Sequence, residues 1–229
     1  MSIANSHTFL GLAAALISLA AAQPASAQIV NGSFEQGTFV NNGSGAESLG
    51  VGATVITGWT TTNAELAWIT TPNSYGLTTP YGSYFLDLTG YHDSSPYGGV
   101  TQSLATTNGA SYHLSFSLGA DQSNSSYAGP VGATASAGAT SQSFTFTPGV
   151  DSAGNQWATF GFDFTATGTS TPVTITGILS TGGQYIGLDN VSVTPNSPVP
   201  EVSMTVSLGL LLALGLGGVV LTARKKRIV

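Results

Sequence analysis

Cysteine is absent from this chain of 229 residues, and no lysine or arginine lies between Gln28 and Pro200. Without cysteine there is no disulfide staple, no thiol nucleophile and no thiolate metal ligand, so the fold must hold by packing. Without basic residues no surface can neutralise phosphate or sulfate, which excludes nucleic acid and anionic polymers as partners of that stretch. Helical periodicity is also missing between the two ends of the chain. What is present is acidic and rich in turns. Nine Asp and Glu residues are spread from Glu35 to Asp189, and Ser, Thr, Gly and Asn are abundant. That composition fits short strands joined by many turns, with an O-glycosylated surface as the alternative.

Long apolar runs occur only at the ends. Phe9 to Ala22 is broken by Gly11 and Ser18 alone, and Ala25-Ser26-Ala27 follows. A short apolar core followed by small-x-small is what signal peptidase reads. Residues 1–27 are therefore expected to be a signal peptide cut between Ala27 and Gln28, despite a first stretch without Lys or Arg. At the other end, Val202 to Ala223 is uncharged over 22 residues, enough for the ~20 that cross a bilayer core. Arg224, Lys225, Lys226 and Arg227 come next and hold every Lys and Arg of the chain. The positive-inside rule then leaves the C-terminus cytoplasmic and residues 28–195 outside the inner membrane.

Just before that span stand Pro198, Val199, Pro200 and Glu201. A short Pro-containing motif, one apolar helix (202–223) and a basic tail (224–227), together filling 196–229, resemble the PEP-CTERM sorting signal of Gram-negative bacteria. The sequence departs from the family at Val202, where a second proline of Pro-Glu-Pro is usual. The resemblance implies an exosortase-type processing enzyme as partner and a helix that anchors the protein in the membrane until it is removed.

Between the ends, apolar and polar residues alternate. Tyr112, Leu114, Phe116 and Leu118 alternate with His113, Ser115 and Ser117; Phe160, Phe162 and Phe164 share one face of a second segment. Ser143 to Thr147, Val173 to Thr176 and Tyr84 to Leu88 follow the same period. Such segments are strands with one face on a core. Many of them, separated by clusters such as Thr107-Asn108-Gly109 and Thr181-Gly182-Gly183, predict an all-β antiparallel sandwich.

The order of short motifs adds a second resemblance. Val30-Asn31-Gly32-Ser33-Phe34-Glu35 opens the stretch; Gly58-Trp59, Leu86-Asp87-Leu88 and Gly99 to Leu104 follow; Leu188-Asp189-Asn190-Val191 closes it. This arrangement is similar to galactose-binding-like jelly rolls, in the versions found in choice-of-anchor bacterial proteins and in a plant cell-wall family of undefined function. The resemblance implies a jelly-roll sandwich whose two ends lie on adjacent strands, with Glu35 and Asp189 sharing a structural calcium ion. Ile186 and Leu188 are in phase and Val191 and Val193 in the opposite phase, so a bulge is expected at Asp189-Asn190. Turn-capping and backbone hydrogen bonds are the competing roles for these two carboxylates.

Tyr75, Tyr81, Tyr84, Tyr91 and Tyr97 crowd into 23 residues of loop-forming sequence. Flat rings beside carboxylates and amides suit sugars, so Tyr75, Tyr81, Tyr91 and Tyr97 are the candidate carbohydrate contacts, while Tyr84 alternates into the core. Trp59 and Trp157 read as core or rim. No catalytic residue stands out: His92-Asp93 is a dipeptide whose side chains point apart, and His113 lies on a polar strand face. Only a meeting of Asp87, Asp93, Asp121 and Asp163 would supply paired carboxylates for glycoside hydrolysis. The expectation is an exported, non-catalytic surface or matrix protein binding neutral polysaccharide. A purely structural or adhesive protein is the alternative, and a glycan-active enzyme the third.

Overall fold

The first motif of the domain is fastened to the last. In this computed structural model, which describes residues 27–149 and 154–196, the Val191 amide donates to the Gly32 carbonyl at 2.8 Å. A Cβ at Gly32 would sit 1.8 Å from the Val191 carbonyl oxygen, so only glycine permits this approach. Phe34 next to it is fully buried against the Trp59 ring, 5.4 Å between centroids. The indole N–H groups of Trp59 and Trp68 donate to the carbonyls of Asn31 and Phe34. Asn31 adopts φ 56°, a left-handed conformation that asparagine tolerates, and its side chain ties Gln36 and Thr57 into the same corner.

From that corner the chain builds two antiparallel sheets. One holds β1 (Ala46–Leu49), β3 (Leu66–Thr70), β4 (Tyr84–Asp87), β11 (Gly187–Pro195), β6 (Ser111–Asp121) and β9 (Asn155–Thr165), in that order. The other holds β2 (Thr60–Thr62), β5 (Gly99–Ala105), β10 (Ser170–Ser180), β7 (Val131–Ala137) and β8 (Thr140–Phe146). This is the expected antiparallel jelly-roll sandwich. Its main core lies between the sheets: Tyr112, Leu114, Phe116 and Leu118 of β6 and Phe162 and Phe164 of β9 meet Val100, Val173 and Ile175 of the facing sheet. Ala133, Ala135 and Ala137 of β7 are buried there as well, small residues that leave room for Phe116 and Phe144 to meet edge to face.

The expected break in phase is a bulge. The pairing of β11 with β6 shifts register between Asp189 and Ser192, and Asn190 takes φ 52°. The extra residue lets Leu188 and Val191 both face the core while Asp189 points to the opposite side of the sheet. Tyr84 packs against the core through Phe39 and Trp68, as its phase requires. The expected signal-peptide cut falls beside Ala27, which is itself buried in the core. The rest of that peptide and the sorting segment beyond Asn196, with its expected helix 202–223, lie outside the described residues. Among the described residues no helix is long and apolar enough to cross a membrane.

Candidate functional site

The six-stranded sheet is covered on its second face too. Ala46, Ala67, Ile69 and Phe85, which point away from the main core, gather Leu77 and Tyr185 into a separate apolar cluster, with Tyr75, Tyr127 and Trp157 against it. Residues 71–83 run across this face as a strap. The Thr78 carbonyl accepts from the Trp157 indole at 2.9 Å and from the Asn155 side chain at 2.7 Å. The Thr79 hydroxyl donates to Asp189, and the Asn73 amide holds the turn by donating to the carbonyls of Thr70 and Leu77. Trp157 can lie flat here because glycines stand beneath it. A Cβ at Gly119 or Gly187 would come within 2.8 Å of its ring.

Beside the strap the face sinks into a pocket of about 220 Å³. Its floor is apolar, from Ala46 on β1 and Ala67 and Ile69 on β3. Its walls come from loops: Tyr75 and Leu77, then Gly90, Tyr91 and Asp93, then Tyr127 and Gln184. Hydrogen bonds fix the rim. The Tyr75 hydroxyl bonds Ser44 at 2.9 Å and stands 3.4 Å from the Tyr91 hydroxyl, which accepts from Asn42. Burial, with the neighbouring Tyr75 hydroxyl, pushes the Tyr91 phenol up to about 12, and burial raises Tyr127 likewise. Both rings therefore stay neutral at physiological pH.

Asp87 closes the inner end of the pocket. Its Oδ1 accepts from the amides of Thr89 and Ile186, each at 3.0 Å, and the Thr89 hydroxyl donates to both carboxyl oxygens. Burial still pushes its carboxyl up to about 7. Asp93, hydrogen-bonded to Gln184, is raised as well, again chiefly by burial.

The tyrosines expected to form one surface are divided. Tyr75 and Tyr91 line the pocket together. Tyr81 does not; it meets Trp157 edge to face, 6.1 Å between centroids, and its hydroxyl accepts from Ser117. Tyr97 is only 9 % exposed and belongs to the main core, where it is out of a ligand's reach. Tyr127 and Gln184 were not anticipated, because they arrive from loops 30 or more residues away in sequence and carry no local pattern. Of the four aspartates considered for hydrolysis, Asp87 and Asp93 line the pocket. Asp121 instead caps Ser123, and Asp163 pairs with His113 at 2.6 Å on the surface, which holds its carboxyl below the usual value.

Glu35 and Asp189 come near each other. Glu35 Oε1 accepts from the amides of Ser83 and Tyr84, both at 2.8 Å, pinning the end of the strap. Asp189 is fully buried and accepts from Thr79 and from the Asn190 amide. Burial pushes its carboxyl up to about 7, and the charge of Glu35 adds to the rise. Among the described residues no group of three or more His, Asp or Glu side chains forms a metal cluster.

The chain belongs to the family described as protein of unknown function (DUF642), whose pattern matches residues 27–193. No curated protein matches it. Among solved structures it is similar to an α-L-arabinofuranosidase, at 16 % identity and TM-score 0.47, over 76 % of this chain and 27 % of that one. A family 35 carbohydrate-binding module from Clostridium thermocellum shares 16 % identity at TM-score 0.40, with 64 % and 97 % covered. The CBM22-1 xylan-binding domain from Paenibacillus barcinonensis shares 14 % at TM-score 0.39, with 67 % and 94 % covered.

The raised Asp87 sets a pH dependence with a definite sign. An unfolded aspartate titrates near ~4, so between that value and about 7 the native state holds the extra proton. Asp87 thus contributes its stability below about pH 4 and loses it as pH rises through 7. Asp87→Asn keeps the acceptor and cannot ionise. Its melts should lose less stability between about pH 5 and 8 than the unaltered protein, by about 2–3 kcal/mol. Equal slopes for both proteins would overturn this assignment.

Proposed function

We propose that this member of the DUF642 family is an exported, non-catalytic cell-surface or matrix protein that binds neutral carbohydrate. The observation that carries this reading is the pocket itself. Tyr75, Tyr91 and Tyr127 stand around an apolar floor, with Asp87, Asp93 and Gln184 as hydrogen-bonding groups. Ring faces and aliphatic floor suit the C–H surfaces of a sugar; carboxylates and amides suit its hydroxyls. No Lys or Arg lies between Gln28 and Pro200, so a negative polymer meets uncompensated repulsion.

Affinity electrophoresis decides between this and a purely structural or adhesive role. Retardation by neutral polymers such as dextran, galactomannan or β-glucan is expected, little changed by salt because no counterions are released. Tyr91→Ala, at a residue 45 % exposed, should abolish it and leave the fold intact. Tyr84→Ala should instead destabilise the domain, by about 2–4 kcal/mol. Retardation by alginate or polygalacturonate only overturns the neutral-carbohydrate reading, and retardation by nothing leaves the structural one.

Export and anchoring rest on the sequence of the two ends. A signal peptide over 1–27 delivers the domain. The PEP-CTERM-like segment Pro198, Val199, Pro200 and Glu201, with the apolar run and basic tail behind it, hands it to an exosortase-type enzyme. Replacing Pro200 and Glu201 together by alanine should leave full-length protein in the inner membrane. Surface protein with an unchanged C-terminus in that variant would sink this part.

A structural calcium ion at Glu35 and Asp189 belongs to the same proposal. Two carboxylates in each other's field, with no Lys or Arg in the domain, would gain from a shared cation. An ion that binds only the native state adds about 2.7 kcal/mol at a hundred times its Kd. The protein should therefore melt lower in chelator, and Asp189→Ala should erase that difference. Identical melting with and without chelator would remove the ion.

A further inference from the structure

We infer that the pocket is an end-on site, taking the terminal sugar unit of a chain and not a stretch of its interior. The inference rests on the carbohydrate reading of the same pocket and adds which part of a polymer it recognises. Two features carry it: the size of the pocket and the hydrogen-bonded segments that stand on its sides.

A site for chain interior must be open at two ends, so that the polymer can enter and leave. Here hydrogen bonds hold a segment in place on each side. Toward β11, β6 and β9 the strap lies across the sheet, held through Thr78 to Trp157 and Asn155 and through Thr79 to Asp189. Toward the β1 edge the hydroxyls of Tyr75 and Tyr91 are tied to Ser44 and Asn42. On a third side the loops carrying Tyr127 and Gln184 are joined to each other: the Gln184 amide donates to the Ser126 carbonyl and the Gly182 amide to the Ala128 carbonyl, both at 3.0 Å. The Glu65 carboxylate accepts from the Tyr91 amide at 2.9 Å and fixes the remaining loop.

The pocket holds about 220 Å³, below the ~300–1,000 Å³ of pockets that hold drug-sized ligands. It suits one ring with its hydroxyls. The polar groups are placed for that ring. Asp87 lines the pocket and its Oδ2 receives only the Thr89 hydroxyl, and Asp93 and Gln184 stand on the wall. Apolar contact from Ile69 and Leu77 serves the ring's C–H face. A chain-end site also fits the charge of the domain. The end unit must be neutral, because a uronic acid would be buried beside Asp87 and Asp93 with no cation to answer it.

The test uses full-length protein and whichever neutral polymer retards it, in an intact sample and one partly hydrolysed to chains about a tenth as long. Binding to ends makes the shorter sample bind about tenfold better per unit mass, since it carries tenfold more ends. The free monosaccharide should compete, and Asp93→Asn and Tyr91→Phe should weaken both polymer and monosaccharide. Affinity per mass that does not change with chain length, with no competition by monosaccharide, overturns the end-on inference while leaving carbohydrate binding in place. Failure of every polymer and monosaccharide to bind removes both.

Discussion

The carboxylates of this domain face no lysine or arginine, and the loops are built from that constraint. Six of the acids are answered by backbone amides or hydroxyls. Asp87 gathers Thr89 and Ile186; Glu35 gathers Ser83 and Tyr84; Asp189 gathers Thr79 and Asn190. Glu65 takes the Tyr91 amide, Glu47 the Val40 amide and Asp121 the Ser123 amide. An amide can be reached only if the chain passes at a fixed place, so every such bond pins a loop. In a cysteine-free chain these acids do the positioning that disulfides do elsewhere. Hydrogen bonds to charged acceptors are stronger than neutral ones, yet they do not offset full burial at Asp87 and Asp189, whose carboxyls rise to about 7.

Burial on both faces of one sheet is what makes those two acids interior. An antiparallel sheet commonly leaves one face to water. Here the strap and the loops around Tyr127 and Tyr185 cover much of the second face of the six-stranded sheet, creating a second apolar cluster. Residues that alternation assigns to solvent, such as Phe85, Asp87 and Asp189, then find themselves inside. The pocket is the part of that face the loops leave uncovered.

This explains what was legible in the sequence. The inner faces of β6 and β9 alternate large apolar residues with polar ones, and the sandwich follows from that period. The bulge at Asp189 was legible because it shifts the phase of four large apolar residues. β7 was less so, since Ala133, Ala135 and Ala137 alternate with Thr134 and Ser136 in size and hydrophobicity too faint to read. The site was legible only in part. Tyr75 and Tyr91 meet at the pocket, but loop residues follow no period, and nothing local separates them from Tyr81 beside Trp157 or from Tyr97 in the core. Trp157 shows the same limit. Its partners Gly119 and Gly187 mark the place of a flat ring only once β9, β6 and β11 are side by side.

The division of labour between scaffold and loops bears on how such a site can change. The floor residues Ala46, Ala67 and Ile69 are strand positions whose side chains also support Phe85 and Tyr185. Altering them disturbs packing on the sheet. The walls are different: Tyr91, Asp93, Tyr127 and Gln184 hang on loops fixed through their backbones, by Glu65 to the Tyr91 amide and by carbonyl bonds from the loop of Ser126 to that of Gln184. Because the anchors grip main chain, the side chains beside them can be exchanged without releasing the loop. The wall side chains can therefore change while the loops keep their course, and it is that course, tied to the acids, that the fold defends.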